Sequence, residues 1–213
     1  MLSTFAIKEL IVWYTNMQIQ EIFREDAVEM APELKNLVTQ AEETGKKMAA
    51  SRSLKYQLYI PRNTKVVKES VKPQAKLWTS TAVYRGGNSY TSAWAEWCHI
   101  NMRQWLAPQG KLYQVQPGAR VLNIGSDAAA RKIAKIFDME FASGNYGKIL
   151  SNYPWEKLGQ LVDGIRYPAR LRGTWGSGLN NILMSMWDVE STAWFRTDKL
   201  NFVKEVDINV RGW

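Results

Sequence analysis

The chain of 213 residues is 46% apolar and 12% aromatic, carries a net charge of +8, and contains ten Trp but one Cys and one His. This composition supports a real core and excludes a disordered chain. A single Cys98 excludes an intramolecular disulfide, and with only His99 for company it leaves structural zinc without a ligand set.

Charge is unevenly spread. Residues 1–50 hold five Lys/Arg against eight Asp/Glu, or −3, and the remainder holds 23 against 12, or +11. The basic part points to an anionic partner, with solubility as the plain alternative. No basic-then-apolar leader is visible, and the apolar run Leu10–Tyr14 is too short to span a bilayer, so a cytoplasmic location without a membrane partner is expected.

In chain order, residues 4–24 and 32–50 read as helices. Pro32 suits a first turn, and Leu34, Leu37, Val38, Ala41 and Met48 form one stripe. These helices define an acidic N-terminal lobe over 1–50, followed by an α+β domain over 51–213. LKYQLYI (54–60) is a strand stopped by Pro61, and a basic stretch follows from Arg62 to Lys76, with Lys65, Lys68 and Lys72 inside. KLWTSTAVY (76–84) is a second strand.

YTSAWAEWCHINMRQWL (90–106) reads as an amphipathic helix burying Ala93, Trp97, Ile100 and Trp105. Strands within 111–124 are broken at Pro117-Gly118. Ser126 or Asp127 caps the helix that follows. The stretch 143–160 is turn-rich with one short helix, and DGIRYPARLR (163–172) is irregular strand or loop. A glycine-rich loop, GTWGSGLNN (173–181), precedes an acidic strand, and FVKEVDINV (202–210) closes the chain after a turn at Thr197–Lys199. The fold class is α+β: short antiparallel strands in a split sheet or sandwich with flanking helices.

Several motifs bear on function. Gly176-Ser177-Gly178 lacks the third glycine and the strand–helix unit of a dinucleotide fingerprint, and no P-loop is present. Thr79-Ser80-Thr81 after Trp78 has a plain reading as clustered strand formers, and Tyr84-Arg85-Gly86-Gly87 as a strand end. In MWDVESTAWF, period-2 alternation puts Asp188, Glu190, Thr192 and Trp194 on one face, with Trp187, Val189, Ser191, Ala193 and Phe195 on the other. An acid pair on a strand is ordinarily solvated. Flanked by Trp187 and Trp194 it could instead stand beside apolar walls, where a carboxylate does chemistry.

The order of these segments over residues 54–210 resembles the C-terminal half of mono-ADP-ribosyltransferases of the bacterial toxin or phage effector type. Those enzymes carry an aromatic residue before a Ser-Thr-Ser strand, then a helix, a strand pair, a substrate-recognition loop and an acid-x-Glu strand. Trp78-Thr79-Ser80-Thr81 stands for the first element, Gly173–Met186 for the loop, and Asp188-Val189-Glu190 for the last. The family's opening strand also carries an arginine. The matching strand here, Leu58-Tyr59-Ile60-Pro61-Arg62, places Arg62 two residues late, while Tyr84-Arg85-Gly86 looks like that motif but follows the triplet.

The resemblance implies NAD as co-substrate and no metal, with cleavage of the nicotinamide–ribose bond and transfer of ADP-ribose to a macromolecular acceptor, either a host protein or nucleic acid. Glu190 would be the catalytic carboxylate and Asp188 would orient or deprotonate the acceptor. Thr79, Ser80 and Thr81 would brace Glu190 and the ribose, Tyr84 or Trp94 would stack on nicotinamide, and Arg62 would meet the pyrophosphate. Trp175, Gly176 and Gly178 would form the recognition loop. Two other readings stand beside it: a non-enzymatic basic nucleic-acid-binding or virion-associated protein, and an NAD glycohydrolase. The oligomeric state is not legible in the sequence.

Overall fold

A computed structural model describes residues 31–61, 73–125, 127–138, 153–168 and 189–210. The chain divides into two compact units, residues 1–35 and 36–213. Apart from the first turn of one helix, all the elements below belong to the second unit. The expected helix over 4–24 lies outside the described residues, as do Lys65, Lys68, Lys72 and Ser126.

The expected helix over 32–50 is α1 (Pro32–Ala50), which buries Leu37, Ala41, Gly45 and Met48. Gly45 was not part of the expected stripe. A Cβ there would collide with the main-chain carbonyl of Ala119, so only glycine lets α1 lie this close to the turn at Pro117-Gly118.

The remaining elements run β1 (Tyr56–Tyr59), β2 (Leu77–Thr81), β3 (Val83–Gly86), β4 (Ser89–Thr91), α2 (Ala93–Asn101), a 3-10 turn (Arg103–Trp105), β5 (Gln109–Val115), β6 (Val121–Asn123), α3 (Asp127–Ile136), α4 (Trp155–Leu161), β7 (Gly164–Tyr167), β8 (Ser191–Trp194) and β9 (Leu200–Ile208). The architecture is mixed α+β, built on one nine-stranded sheet in the order β3-β4-β9-β5-β1-β2-β8-β7-β6. Pairing is antiparallel except at β4–β9 and β6–β7.

β3 begins two residues after β2 ends, yet it sits at the far edge of the sheet order. Two residues of chain span only about 7 Å, so the sheet must curl to bring that edge back toward β2. The strand expected over 76–84 is accordingly two strands, split at Ala82, whose N–H donates to the Tyr56 carbonyl at 2.9 Å.

The helix expected over 90–106 is shorter. Tyr90 and Thr91 pair in β4, and the Ser92 hydroxyl caps α2 by accepting from the Ala95 N–H at 3.2 Å. Its buried residues are Ala95 and Cys98, not the expected Ala93, Trp97, Ile100 and Trp105, and Ile100 is 63% exposed. The short helix presses its small residues on the sheet, while its Trp94 stacks on Trp97 and on Trp105 of the 3-10 turn.

Three apolar clusters form the core. The first joins α3 and α4 to β6–β8 through Leu122, Ile133, Leu158, Ile165 and Ala193. A second gathers Met48, Val115, Val121, Trp194 and Leu200. The third lies under α2, where Ala95 meets Leu58, Leu112 and Val206. Ala193 and Trp194 fall in different clusters, as the period-2 reading of β8 requires. Among the described residues no helix is long and apolar enough to cross a membrane.

Candidate active site

β8 pairs with β2 through Leu77↔Trp194, Trp78↔Ala193 and Thr79↔Thr192. Continuing that antiparallel register by two residues sets Thr81 opposite Glu190. There the ladder changes character. The Ser80 hydroxyl donates to the Glu190 carbonyl at 2.7 Å. The Thr81 N–H donates to Glu190 Oε2 at 2.9 Å, and the Thr81 hydroxyl to Oε1 at 2.8 Å. Hydroxyls and a carboxylate thus replace main-chain partners at this strand end, which is a physical reason for Ser80, Thr81 and Glu190 to stand where they do.

Glu190 is only 6% exposed, so it is not a solvated strand acid. A buried carboxylate demands both hydrogen bonds and a counter-charge. The counter-charge comes from β7: Arg166 lies opposite Thr192, and one guanidinium nitrogen stands 3.4 Å from Glu190 Oε1. Oε1 therefore faces two partners, the Thr81 hydroxyl and Arg166. Among the described residues Oε2 accepts one hydrogen bond and keeps a second acceptor position. On the paired residues Arg166 and Thr192, Arg166 Nε and Thr192 Oγ1 are buried without a hydrogen-bond partner among the described residues.

Thr79 belongs to the same strand but does different work. Its hydroxyl donates to Gln57 Oε1 at 2.8 Å and accepts from Trp194 Nε1 at 2.9 Å, and Gln57 Nε2 donates to the Leu54 carbonyl at 3.0 Å. Thr79 and Gln57 are both buried, so this chain of hydrogen bonds fastens β1, β2 and β8 together.

The expected site residues are therefore distributed as follows. Ser80 and Thr81 meet at Glu190, and Thr79 is turned to the neighbouring column. Tyr84 projects from β3, 61% exposed, with its ring edge-on to Tyr90 at 5.4 Å. Trp94 stacks on Trp97 at 5.2 Å. Arg85 pairs with Glu96 at 3.2 Å, and the same carboxylate oxygen accepts from the Thr91 hydroxyl at 2.9 Å. Arg62, Asp188, Trp175, Gly176 and Gly178 lie outside the described residues.

Sequence reasoning missed Arg166 and Gln57. The signal for Arg166 was present: Ile165 and Tyr167 flank it and both are buried. Glycine before them and proline after hid the period-2 pattern of a short strand. Gln57 offered no such signal, because an amide inside a strand reads as solvated until its partners are known.

No protein-family model matches the chain, and no curated protein or solved structure matches it significantly. The site's own chemistry must therefore carry the functional reading. A buried, arginine-paired carboxylate with one open acceptor position can take a hydrogen bond from a ligand hydroxyl and stabilise positive charge that develops beside it.

Proposed function

We propose that the chain is an NAD-dependent mono-ADP-ribosyltransferase with Glu190 as its catalytic carboxylate. The observation that carries this reading is the burial of Glu190 against Thr81, with Oε2 left one acceptor position short of saturation. Cleaving the nicotinamide–ribose bond generates an oxocarbenium-like centre, the same electrostatic demand that glycoside hydrolysis meets with carboxylates. Nicotinamide departs with the bonding pair, and the cation left on ribose is the charge that Glu190 stabilises. Oε2 accepts from a ribose hydroxyl while Thr81 and Arg166 fix the carboxylate's orientation. The acceptor's nucleophile then attacks the ribose carbon and gives up its proton, the role that the family resemblance assigns to Asp188.

Pre-setting the carboxylate matters because a group already oriented needs no reorganisation when charge develops. The Thr-Ser-Thr strand supplies that setting through Ser80 and Thr81, and Thr79 anchors the strand itself.

The test is nicotinamide release from NAD by the purified protein, wild type beside Glu190→Gln, with and without cell lysate. Release that depends on lysate and disappears in Glu190→Gln is expected, with labelled ADP-ribose appearing on a macromolecule. Release without lysate would make the protein a glycohydrolase, and no release under any condition would sink the enzymatic reading.

A further inference from the structure

A second feature lies away from Glu190, at the margin of the core under α2. Tyr84 of β3 is opposite Tyr90 of β4, and their rings meet edge to face at 5.4 Å with 63° between planes. Lys204 of β9 holds its ammonium 5.5 Å from the centre of the Tyr90 ring. Lys55 does the same over Tyr56 of β1, at 5.7 Å. The curl of the sheet brings these strands together. The Tyr90 phenol is raised above its ordinary range, first by burial and then by Tyr84 and Tyr56 beside it. The Tyr90 hydroxyl is thereby kept in its neutral, hydrogen-bond-donating form.

Sheet register extends the patch. Gln114 is opposite Tyr56 on one side and Asn201 on the other, so two amides share with Tyr56 one face of the sheet. Neither Lys55 nor Lys204 has a carboxylate within ion-pair distance among the described residues. Tyr84 is 61% exposed. Aromatic rings, lysines without counter-ions and amides thus lie together on a chain segment, 51–213, that carries +11.

We propose that the Tyr56–Tyr84–Tyr90 patch, with Lys55 and Lys204, is a binding surface for single-stranded nucleic acid. Its chemistry selects this partner over an acidic protein. Carboxylates would satisfy two lysines but leave the rings nothing to stack upon. A single strand offers phosphates at every nucleotide and an aromatic face on every base. A duplex would hide those base faces within its own stack. The proposal stands independently of ADP-ribosyl transfer; joined to it, it would make nucleic acid the acceptor class.

Fluorescence anisotropy tests it with labelled oligo(dT) and oligo(rU) about 12 nucleotides long. The expected results are salt-dependent binding by the wild type and weakening of about tenfold in Tyr84→Ala, the loss of one stacked base. Lys204→Ala should reduce the slope of log affinity against log salt by about 0.7, the release of one counter-ion. Ile100→Ala, which removes a different exposed apolar side chain, should bind as the wild type does, and thermal melts establish that all variants fold. Preference for one oligonucleotide would name the nucleic acid as DNA or RNA within the proposal. Absence of wild-type binding, binding that either patch variant leaves unchanged, or equal competition by poly-glutamate would overturn it. None of these readouts requires NAD, so failure here is distinct from failure of the enzymatic reading.

Discussion

Two buried carboxylates, Asp163 and Glu190, both keep company with arginine, and they are held in different ways. Asp163, 1% exposed, accepts the Arg120 N–H at 2.7 Å on Oδ2. Its Oδ1 lies 2.9 Å from Arg196 Nε and 3.8 Å from an Arg120 guanidinium nitrogen. Its main-chain carbonyl also accepts the N–H groups of Phe195 and Arg196. Two cations and three main-chain segments thus converge on one acid, tying the starts of β6 and β7 to the end of β8. Among the described residues Glu190 has one cation and takes its side-chain hydrogen bonds from a single threonine. Burial and an arginine partner do not separate a structural acid from a chemical one. The number of groups that converge does: two arginines and three main-chain segments on Asp163, one arginine and one threonine on Glu190 among the described residues.

The sharpest way to break this comparison is to neutralise each acid in turn. Glu190→Gln should lower transferase turnover by about a thousandfold, the scale of losing a preorganised electrostatic partner, measured as nicotinamide release. Asp163→Ala should instead cost about 1–3 kcal/mol of stability, since it leaves the Arg120 N–H and two part-exposed guanidinium groups without their shared acceptor, and urea unfolding reads it directly. If Asp163→Ala melts like the wild type, the strut interpretation is wrong.

A finer test lies within the triplet. Thr79→Val leaves Gln57 and Trp194 without their shared partner and should cost about 1–3 kcal/mol of stability, with little change in turnover per folded molecule. Thr81→Val keeps the main-chain bond to Oε2 but frees Oε1 from its hydroxyl. It should lower turnover by about tenfold, the worth of roughly one hydrogen bond, with a smaller stability loss. Equal behaviour of the two variants, in both assays, would erase the distinction between them.

Much of this arrangement was legible in the sequence because strands and helices leave periodic marks. β-Formers around Thr79–Thr81 and alternation through Val189–Phe195 located the two strands that meet at Glu190. The turn at Pro117-Gly118 was equally plain, and Gly118 adopts φ +84° there. What escaped were features that depend on a second segment far away in the chain. Arg166 matters only because β7 lies beside β8. Asp163 falls in a stretch that reads as irregular strand or loop until Arg120 and Arg196 are seen to converge on it. Gly45 looks like a weak point in a helix until Ala119 is found against it. The length of α2 was overestimated because the Trp-rich spacing continues past Asn101, while Ser92 supplied a cap that fixed its true start.

The clamp on Glu190 has one more consequence. In β2 the Thr81 amide proton is sheltered by a side chain, whereas its neighbours are sheltered by a strand. Opening of the β2–β8 ladder would expose several amides together, but a turn of the Glu190 carboxylate away from Thr81 would expose this one alone. Deuterium uptake at Thr81, followed with and without NAD, would make a single backbone proton the reporter of whether the carboxylate keeps its setting when a ligand arrives, and unchanged protection is expected.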